Sequence, residues 1–453
     1  MIVRGWGHLP PIRMSGIRRD HAGVVCHAAR SLAAASIAMN ETEPTVAPDE
    51  PNIAPSRDYP VLFLKKGEDD RLRQGHLWVF SNEVDVVRSP LDQFVPGQIA
   101  AISDSTGRIL GLGYVNPQAL VCARLMERGA RHGVDRSLIV HRLQVALALR
   151  QRLYGEPFYR LVFGEADGLP GLVLDRYDDV IVGQIGTLGM EQLKTAIVEA
   201  VVKVIKPRLM VWKNHGSVRR LENLPEYVET AVGVIEASTR VVEAGIEFWV
   251  DIANGQKTGW FYDQRDNRER LPRLVAGKRV LDVFSYVGAW GLRSAALGAS
   301  AVLCIDSSAP ALAAINAVAQ QQGLADRVQT READAFDALK ELRQQREHFD
   351  VVIVDPPAFI KRKKDFAEGR IAYRRIFEAA MQVLSKDGIL IACSCSHHLP
   401  RAVMLDLIQQ GARHLDRSVQ VLAQLQQSKD HPVHPAIPET DYLKGFICRV
   451  LPA

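Results

Sequence analysis

Val280-Leu-Asp-Val-Phe-Ser-Tyr-Val-Gly-Ala-Trp-Gly291 opens on an apolar run, passes through small residues and leads into a segment with helical spacing. An apolar run this short, closed by a Gly-containing turn, reads as a buried strand, and the helix behind it must pack back over the sheet. The unit repeats downstream. Apolar runs at 279–284, 301–305, 328–331, 351–354 and 389–393 are separated by helical stretches, which predicts a doubly wound parallel sheet covered on both faces. A helix over 402–412 and two further runs at 419–423 and 445–450, with no helix between them, predict a terminal antiparallel hairpin.

Upstream the pattern changes. Short runs at 60–65, 77–80, 98–102, 109–113 and 121–125 are punctuated by Pro, Gly and Asp, the mark of a compact β-barrel. An amphipathic helix over 137–153, runs at 159–163, 171–176 and 180–185, a helix over 191–205 and a run at 209–212 predict a small α+β domain. Asp167 within Glu165-Ala-Asp-Gly-Leu-Pro170 reads as turn chemistry rather than as a catalytic group. The expected organisation is an extension over 1–58, a barrel over 59–130, a central α+β domain over 136–240 and a Rossmann-like α/β domain of seven strands over 245–453.

The chain has 453 residues, enough for about three domains. With 47% hydrophobic and 24% charged residues it is globular in composition, and no apolar run approaches the roughly 20 residues that span a bilayer. A net charge of +4 is too small to argue for nucleic acid by itself. The six cysteines show no zinc-like spacing, which predicts no metal site and suits a reducing, cytoplasmic compartment. Arg4, Arg13, Arg18, Arg19 and Arg30 against the single acid Asp20 suggest a transit peptide, but Met39 opens a segment running into a Pro-rich acidic stretch. An upstream start or a disordered tail, followed by a disordered linker over 40–57, is the reading preferred here.

The first crossover crevice of such a sheet is where nucleotide-like ligands bind. Gly288 and Gly291 would let the backbone approach one, and Asp306, which lies 24 positions beyond Asp282, is placed to accept from ribose hydroxyls. The dinucleotide Gly pattern is absent, and the loop with its acidic second-strand end resembles the S-adenosylmethionine-binding class. Asp355-Pro-Pro-Ala-Phe359 ends the fourth strand of this sheet, where Pro356 and Pro357 would stiffen the exit and hold the Asp355 carboxylate at the crevice. Methyltransferases of nucleobases use this position, with a residue such as Phe359, to hold the target base. Ile389-Leu-Ile-Ala-Cys-Ser-Cys-Ser396 brings two thiols, Cys393 and Cys395, to one face of the fifth. Lys361-Arg-Lys-Lys364 follows the Asp-Pro-Pro loop; Lys363 and Lys364 are candidates for RNA backbone contact, set against a plain solvated charge run.

Leu64-Lys-Lys-Gly67, Gly75-His-Leu-Trp-Val-Phe80, Glu165-Ala-Asp-Gly-Leu-Pro-Gly171, Gly259-Trp-Phe-Tyr-Asp-Gln-Arg-Asp-Asn-Arg268 and Ser394-Cys-Ser396 together resemble the bacterial 23S ribosomal RNA cytosine-C5 methyltransferases of the RlmI type. The resemblance runs from Tyr59 to Ala453. It implies a PUA-type barrel, S-adenosylmethionine as cofactor, ribosomal RNA as partner with no membrane, and it allows a homodimer. It also implies a cofactor pocket formed by Gln264, Arg265, Asp282, Phe284, Ser285, Tyr286, Gly288, Asp306, Asp334 and Asp355, with Asp334 near the adenine. It selects Cys395, nearer the open end, as the nucleophile, and leaves Cys393 as a buried small hydrophobe. Carbon 5 of cytosine is a poor nucleophile, and thiolate addition at carbon 6 makes it enamine-like, dividing one high barrier into smaller ones. The chain departs from the family at Ala358, where Lys is common, and at His397 and His398.

Three other functions compete. A guanine-nitrogen methyltransferase of the same fold needs no thiol and leaves Ser394-Cys-Ser396 unused. A non-catalytic RNA-binding assembly factor does not require Asp282, Asp306, Asp355 and Cys395 together. A nicotinamide dehydrogenase would need the missing dinucleotide glycines.

Overall fold

The computed structural model describes residues 59–453 except residue 254; the expectations for 1–58 lie outside the described residues. The first sheet contains β1 (Val61–Phe63), β2 (Trp78–Phe80), β3 (Gln98–Ser103), β4 (Ile109–Val115) and β5 (Val121–Arg128), in the order β1-β3-β4-β5-β2. Its outer strands meet through Lys65 N to Glu83 O (2.9 Å) and Asp85 N to Phe63 O (2.8 Å), so the edges are satisfied by closure. Leu62, Leu64, Val79, Ile102 and Leu125 fill its interior.

The central domain opens with the helix Arg136–Leu153, whose first turn is capped by Asp135 accepting from Ser137 N (2.8 Å) and Leu138 N (3.3 Å). Its sheet has the order β10-β9-β8-β7-β6, formed by β6 (Phe158–Phe163), β7 (Leu172–Tyr177), β8 (Val180–Ile185), β9 (Leu209–Asn214) and β10 (Tyr227–Val232). The helix expected over 191–205 is two helices, Leu188–Gln192 and Lys194–Ile205. β10 was not foreseen: it is an edge strand carrying Glu229 and Thr230 on exposed positions, so it lacks the apolar run that marks buried strands. A hairpin of β11 (Thr239–Glu243) and β12 (Ile246–Val250) also escaped the sequence reading. Asp167 sits in a 3-10 turn closed by Gly168 (φ 71°), and its carboxylate accepts from Arg150 Nη1 (2.6 Å), Arg150 Nη2 (2.8 Å) and Phe163 N (2.7 Å).

The C-terminal sheet contains β13 (Arg279–Val283), β14 (Ala301–Asp306), β15 (Val328–Glu332), β16 (Phe349–Val354), β17 (Leu384–Ser394), β18 (Arg417–Gln426) and β19 (Lys444–Pro452). The order is β15-β14-β13-β16-β17-β19-β18, parallel except for β19, which is antiparallel to both neighbours. This is the seven-stranded Rossmann-like α/β fold the alternating runs predicted. Successive side chains point to opposite faces, so Val280, Val351, Ile353 and Ile391 fill one core while Leu281, Val352, Val354 and Leu390 fill the other. Each such aliphatic side chain contributes about 1.5–3 kcal/mol on burial, so both helical layers are held tightly to the sheet. Strand order reverses between β13 and β16, opening a crevice at their C-terminal ends. No helix of the described residues is long and apolar enough to cross a membrane.

Candidate active site

The loop leaving β13 is strained. Phe284 (φ 64°) and Tyr286 (φ 49°) both adopt left-handed backbone, at a cost of about 1–3 kcal/mol each. The strain is held by hydrogen bonds from Ser285 N to Ile305 O (3.0 Å) and from Tyr286 N to Asp306 Oδ2 (2.8 Å). Asp306 therefore orders the loop as well as lying beside it; its other oxygen accepts from Ser308 N (2.9 Å). Asp282 is fully buried, with Oδ2 accepting from Gly291 N (2.9 Å) and Oδ1 without a partner among the described residues. Ser285 Oγ is likewise buried and unpaired. Burial pushes the Asp282 carboxyl up to about 7, and the Asp355 and Asp306 charges push the same way.

The glycines of this loop also meet a packing demand. A Cβ on Gly291 would meet Cys304 Sγ at 2.4 Å, and one on Gly288 (φ 77°) would meet Ile315 Cγ1 at 2.8 Å. The missing side chains let the helix Ala289–Ala296 pack closely against its neighbours.

Asp355 follows β16 across the crevice. Gln264 Nε2 donates to both of its oxygens (3.0 Å each) and Trp290 Nε1 to Oδ2 (3.3 Å). Burial, joined by the nearby Asp263 charge, raises this carboxyl to about 6 against the opposing pull of these donors and of Arg268. Gln264 is itself oriented by Asn267, whose Nδ2 donates to its Oε1 (2.7 Å). Arg265, the next residue, turns away from the crevice. Its guanidinium bonds Phe158 O, lies 3.7 Å from Glu243 and covers the rings of Tyr154 and Tyr262. The expected cofactor contact by Arg265 is thus corrected to a seam between the central and C-terminal domains, because on this short helical turn adjacent residues project in different directions. Asp334 stays at the same sheet edge, exposed, with Oδ1 capping the helix Ala335–Gln344 through Phe336 N (2.8 Å) and Asp337 N (3.3 Å).

The two thiols differ sharply. Cys393 is 1% exposed and belongs to the same core as Trp290 and Ile391, and burial drives its thiol far up. Cys395 is half-buried, one residue beyond the strand, with Sγ 3.9 Å from Pro356 O. Burial raises its thiol to about 11; Lys257 pulls it down while Asp355 and Asp263 push it further. Pro356 is buried, Pro357 exposed, and the Phe359 ring packs on Tyr373 at 4.8 Å between centroids. Lys363 and Lys364 are exposed, whereas neighbouring Arg362 pairs with Asp365 (3.1 Å). Asp263, Lys257, Trp290, Tyr442 and Lys444 were missed by the sequence reading. Asp263 lies inside the quoted Gly259–Arg268 segment, and its Oδ2 accepts from Tyr442 Oη (2.6 Å); nothing in sequence couples positions so far apart.

The crevice is lined by carboxylates with no cation paired to Asp282 or Asp355 in short contact among the described residues. Such a field suits a cationic ligand carrying a sulfonium and an ammonium, and repels a pyrophosphate. A family model described as S-adenosylmethionine-dependent methyltransferase matches residues 191–447, and one described as a PUA-like domain matches 62–128. A ribosomal RNA large subunit methyltransferase I of Aliivibrio fischeri is 36% identical over 396 residues, covering 86% of this chain and 99% of the relative. A Vibrio cholerae protein of the same name is 34% identical over 399 residues, covering 86% and 100%. The chain belongs to this methyltransferase family. Its cofactor is therefore S-adenosylmethionine, and the unpaired Asp282 Oδ1 and Ser285 Oγ fit a pocket that a polar ligand completes. A solved methyltransferase structure complexed with SAH shares the fold at a TM-score of 0.74 and 22% identity, covering 86% of this chain and 100% of that one. A Streptococcus mutans methyltransferase structure gives 0.73 at the same identity and coverage.

Proposed function

We propose that this methyltransferase acts in the cytoplasm on carbon 5 of a cytosine in 23S ribosomal RNA, through a covalent adduct with Cys395. The observation that carries the reading is the placement of one half-buried thiol beside Pro356, at the mouth of the crevice whose floor holds Asp355. The names of the relatives, ribosomal RNA large subunit methyltransferase I, support the RNA class. When bound, S-adenosylmethionine supplies an electrophilic methyl group. The Cys395 thiol gives its proton to solvent and the sulfur adds to carbon 6; carbon 5 takes the methyl group, which leaves behind S-adenosylhomocysteine, then loses its proton to solvent as the carbon–sulfur bond breaks and restores the free thiolate. Asp355, held by Gln264 and Trp290, accepts from the exocyclic amino group, while the Pro356, Pro357 and Phe359 loop seats the ring. Asp282, Phe284, Ser285, Tyr286, Gly288, Asp306, Asp334 and Gln264 form the cofactor side, and Lys363 and Lys364 meet the RNA backbone.

One observation favours transfer to a guanine nitrogen instead: a thiol raised to about 11 is almost wholly protonated at neutral pH. RNA carrying 5-fluorocytidine at the target decides between them. Fluorine cannot leave as a proton does, so the wild-type protein should accumulate a covalent complex visible on a denaturing gel, Cys393→Ser should retain it, and Cys395→Ser should form none and methylate nothing. Methylation of carbon 5 by Cys395→Ser, or methyl groups found on guanosine, would sink the proposal.

A further inference from the structure

Ser394 and Ser396, on either side of Cys395, converge on one atom. The Tyr373 hydroxyl lies 2.9 Å from Ser394 Oγ, 2.8 Å from Ser396 Oγ and 3.5 Å from Phe359 N. A phenol has one donor and two acceptor sites. It accepts from Ser394 Oγ and Phe359 N and shares a hydrogen bond with Ser396 Oγ in which either oxygen can donate. Ser396 Oγ also accepts from Ile360 N (3.1 Å), and Ser394 Oγ accepts from Ser396 N (3.2 Å). Tyr373, on the helix Phe366–Gln382, is fully buried, as is Ser394, and Ser396 is 1% exposed. From the next residue inward, the Lys444 ammonium, on the β19 residue paired with Ser394, donates to Ser396 O (2.8 Å) and Tyr442 O (2.9 Å).

A polar cluster buried this deeply holds one geometry when every member is satisfied and would be costly if any were not. Here it grips the peptide of Cys395 by both neighbours, and the same oxygen holds the loop that follows Pro356 and Pro357. The two serine hydroxyls meet Tyr373, while the thiol between them lies against Pro356 O. We infer that Tyr373 is a positioning residue whose hydroxyl fixes the Cys395 sulfur at the crevice and ties the nucleophile to the Pro357–Phe359 loop, so that seating of the base and aim of the sulfur are one event. This rests on the reading of Cys395 as nucleophile. An error of about 1 Å in such an alignment costs on the order of 100-fold in rate.

Tyr373→Phe removes one oxygen and leaves the ring packed on Phe359. Its turnover on RNA should fall about 10- to 100-fold, with S-adenosylmethionine affinity by calorimetry and the KM for RNA within about twofold of the parent. Iodoacetamide labelling followed by peptide mass spectrometry supplies a readout independent of activity: Cys395 should label faster than in the parent, while Cys393 stays protected. Ser396→Ala should reproduce both effects, and the double variant should lose no more than either single one, because all act through the same contact; Ser396→Ala carries the test alone if Tyr373→Phe does not fold. Parental turnover in these variants, or equal exposure of Cys393 and Cys395 through general loosening, overturns the inference. If Cys395→Ser still methylates, the nucleophile reading fails by itself, and the labelling ratio still reports whether Tyr373 positions the sulfur.

Discussion

Two sets of buried carboxylates divide this molecule. In the central domain Asp167 meets Arg150 in a two-pronged pair, and Asp175 meets Arg160 in another at 2.8 and 2.9 Å. In the crevice Asp282 is fully buried and Asp355 partly so, and both receive only neutral donors. A buried charge that has its partner is complete, and removing either member leaves the other exposed to the full desolvation penalty. A buried carboxylate without one is raised toward neutrality and keeps capacity for a ligand. The first set closes the fold around a turn; the second leaves a site open to chemistry.

The sharpest way to break this contrast is to delete one member of each set. Asp167→Ala strands the Arg150 guanidinium, which has no exposed surface, and should destabilise the domain by about 3–5 kcal/mol in urea unfolding. Cofactor affinity of the folded fraction should stay near parental. Asp282→Asn should do the reverse: melting at pH 8 at least as high as the parent, since a charge no longer has to be buried, but S-adenosylmethionine affinity lower by about 10- to 100-fold, or about 1.4–2.7 kcal/mol. If both variants lose stability alike, the distinction between the sets is wrong.

Acidity gives a second handle of smaller size. The carboxyls of Asp282 and Asp355 are raised to about 7 and about 6, above their unfolded value of about 3.9. Between these limits the native state binds more protons than the unfolded one, so their contribution falls as pH rises from about 4 and levels off above about 7. The melting temperature of the cofactor-free protein, compared with Asp282→Asn across pH 4–8, should converge with the variant at the acid end and fall behind it at the neutral end. A constant difference would contradict the raised Asp282 carboxyl. The smallest effect is expected outside the crevice. Neutralising Lys363 and Lys364, both exposed, should weaken RNA binding and reduce the slope of log affinity against log salt by about 1–2, leaving cofactor affinity unchanged. An unaltered slope would make them a solvated charge run.

Much of the C-terminal domain was legible because its signals are local. Asp282 near the end of its run, the acid closing the next strand at Asp306, and Asp355 before two prolines all follow from counting along a strand to its end. β10 was not legible, since an exposed edge has no apolar run to read. The packing role of the loop glycines was not legible: the sulfur of Cys304 and the side chain of Ile315, which exclude a Cβ there, come from elements 13 or more positions away. Arg265 was assigned to the cofactor by resemblance, while its direction depends on Glu243 and Phe158.

The sequence by itself determined the strand and helix alternation, the positions at strand ends where polar side chains must fall, and the pair of thiols that includes the proposed nucleophile. These follow from periods of about two and 3.6 residues, which are properties of the backbone alone. Tertiary structure decided what each polar group experiences: Gln264 reaching Asp355 from 91 positions away, Tyr373 joining two loops, and Asp282 and Cys395 raised by the material packed over them. Burial and partnership are sums over neighbours distant in the chain, so acidity and aim, unlike position, exist only once the chain has closed around them.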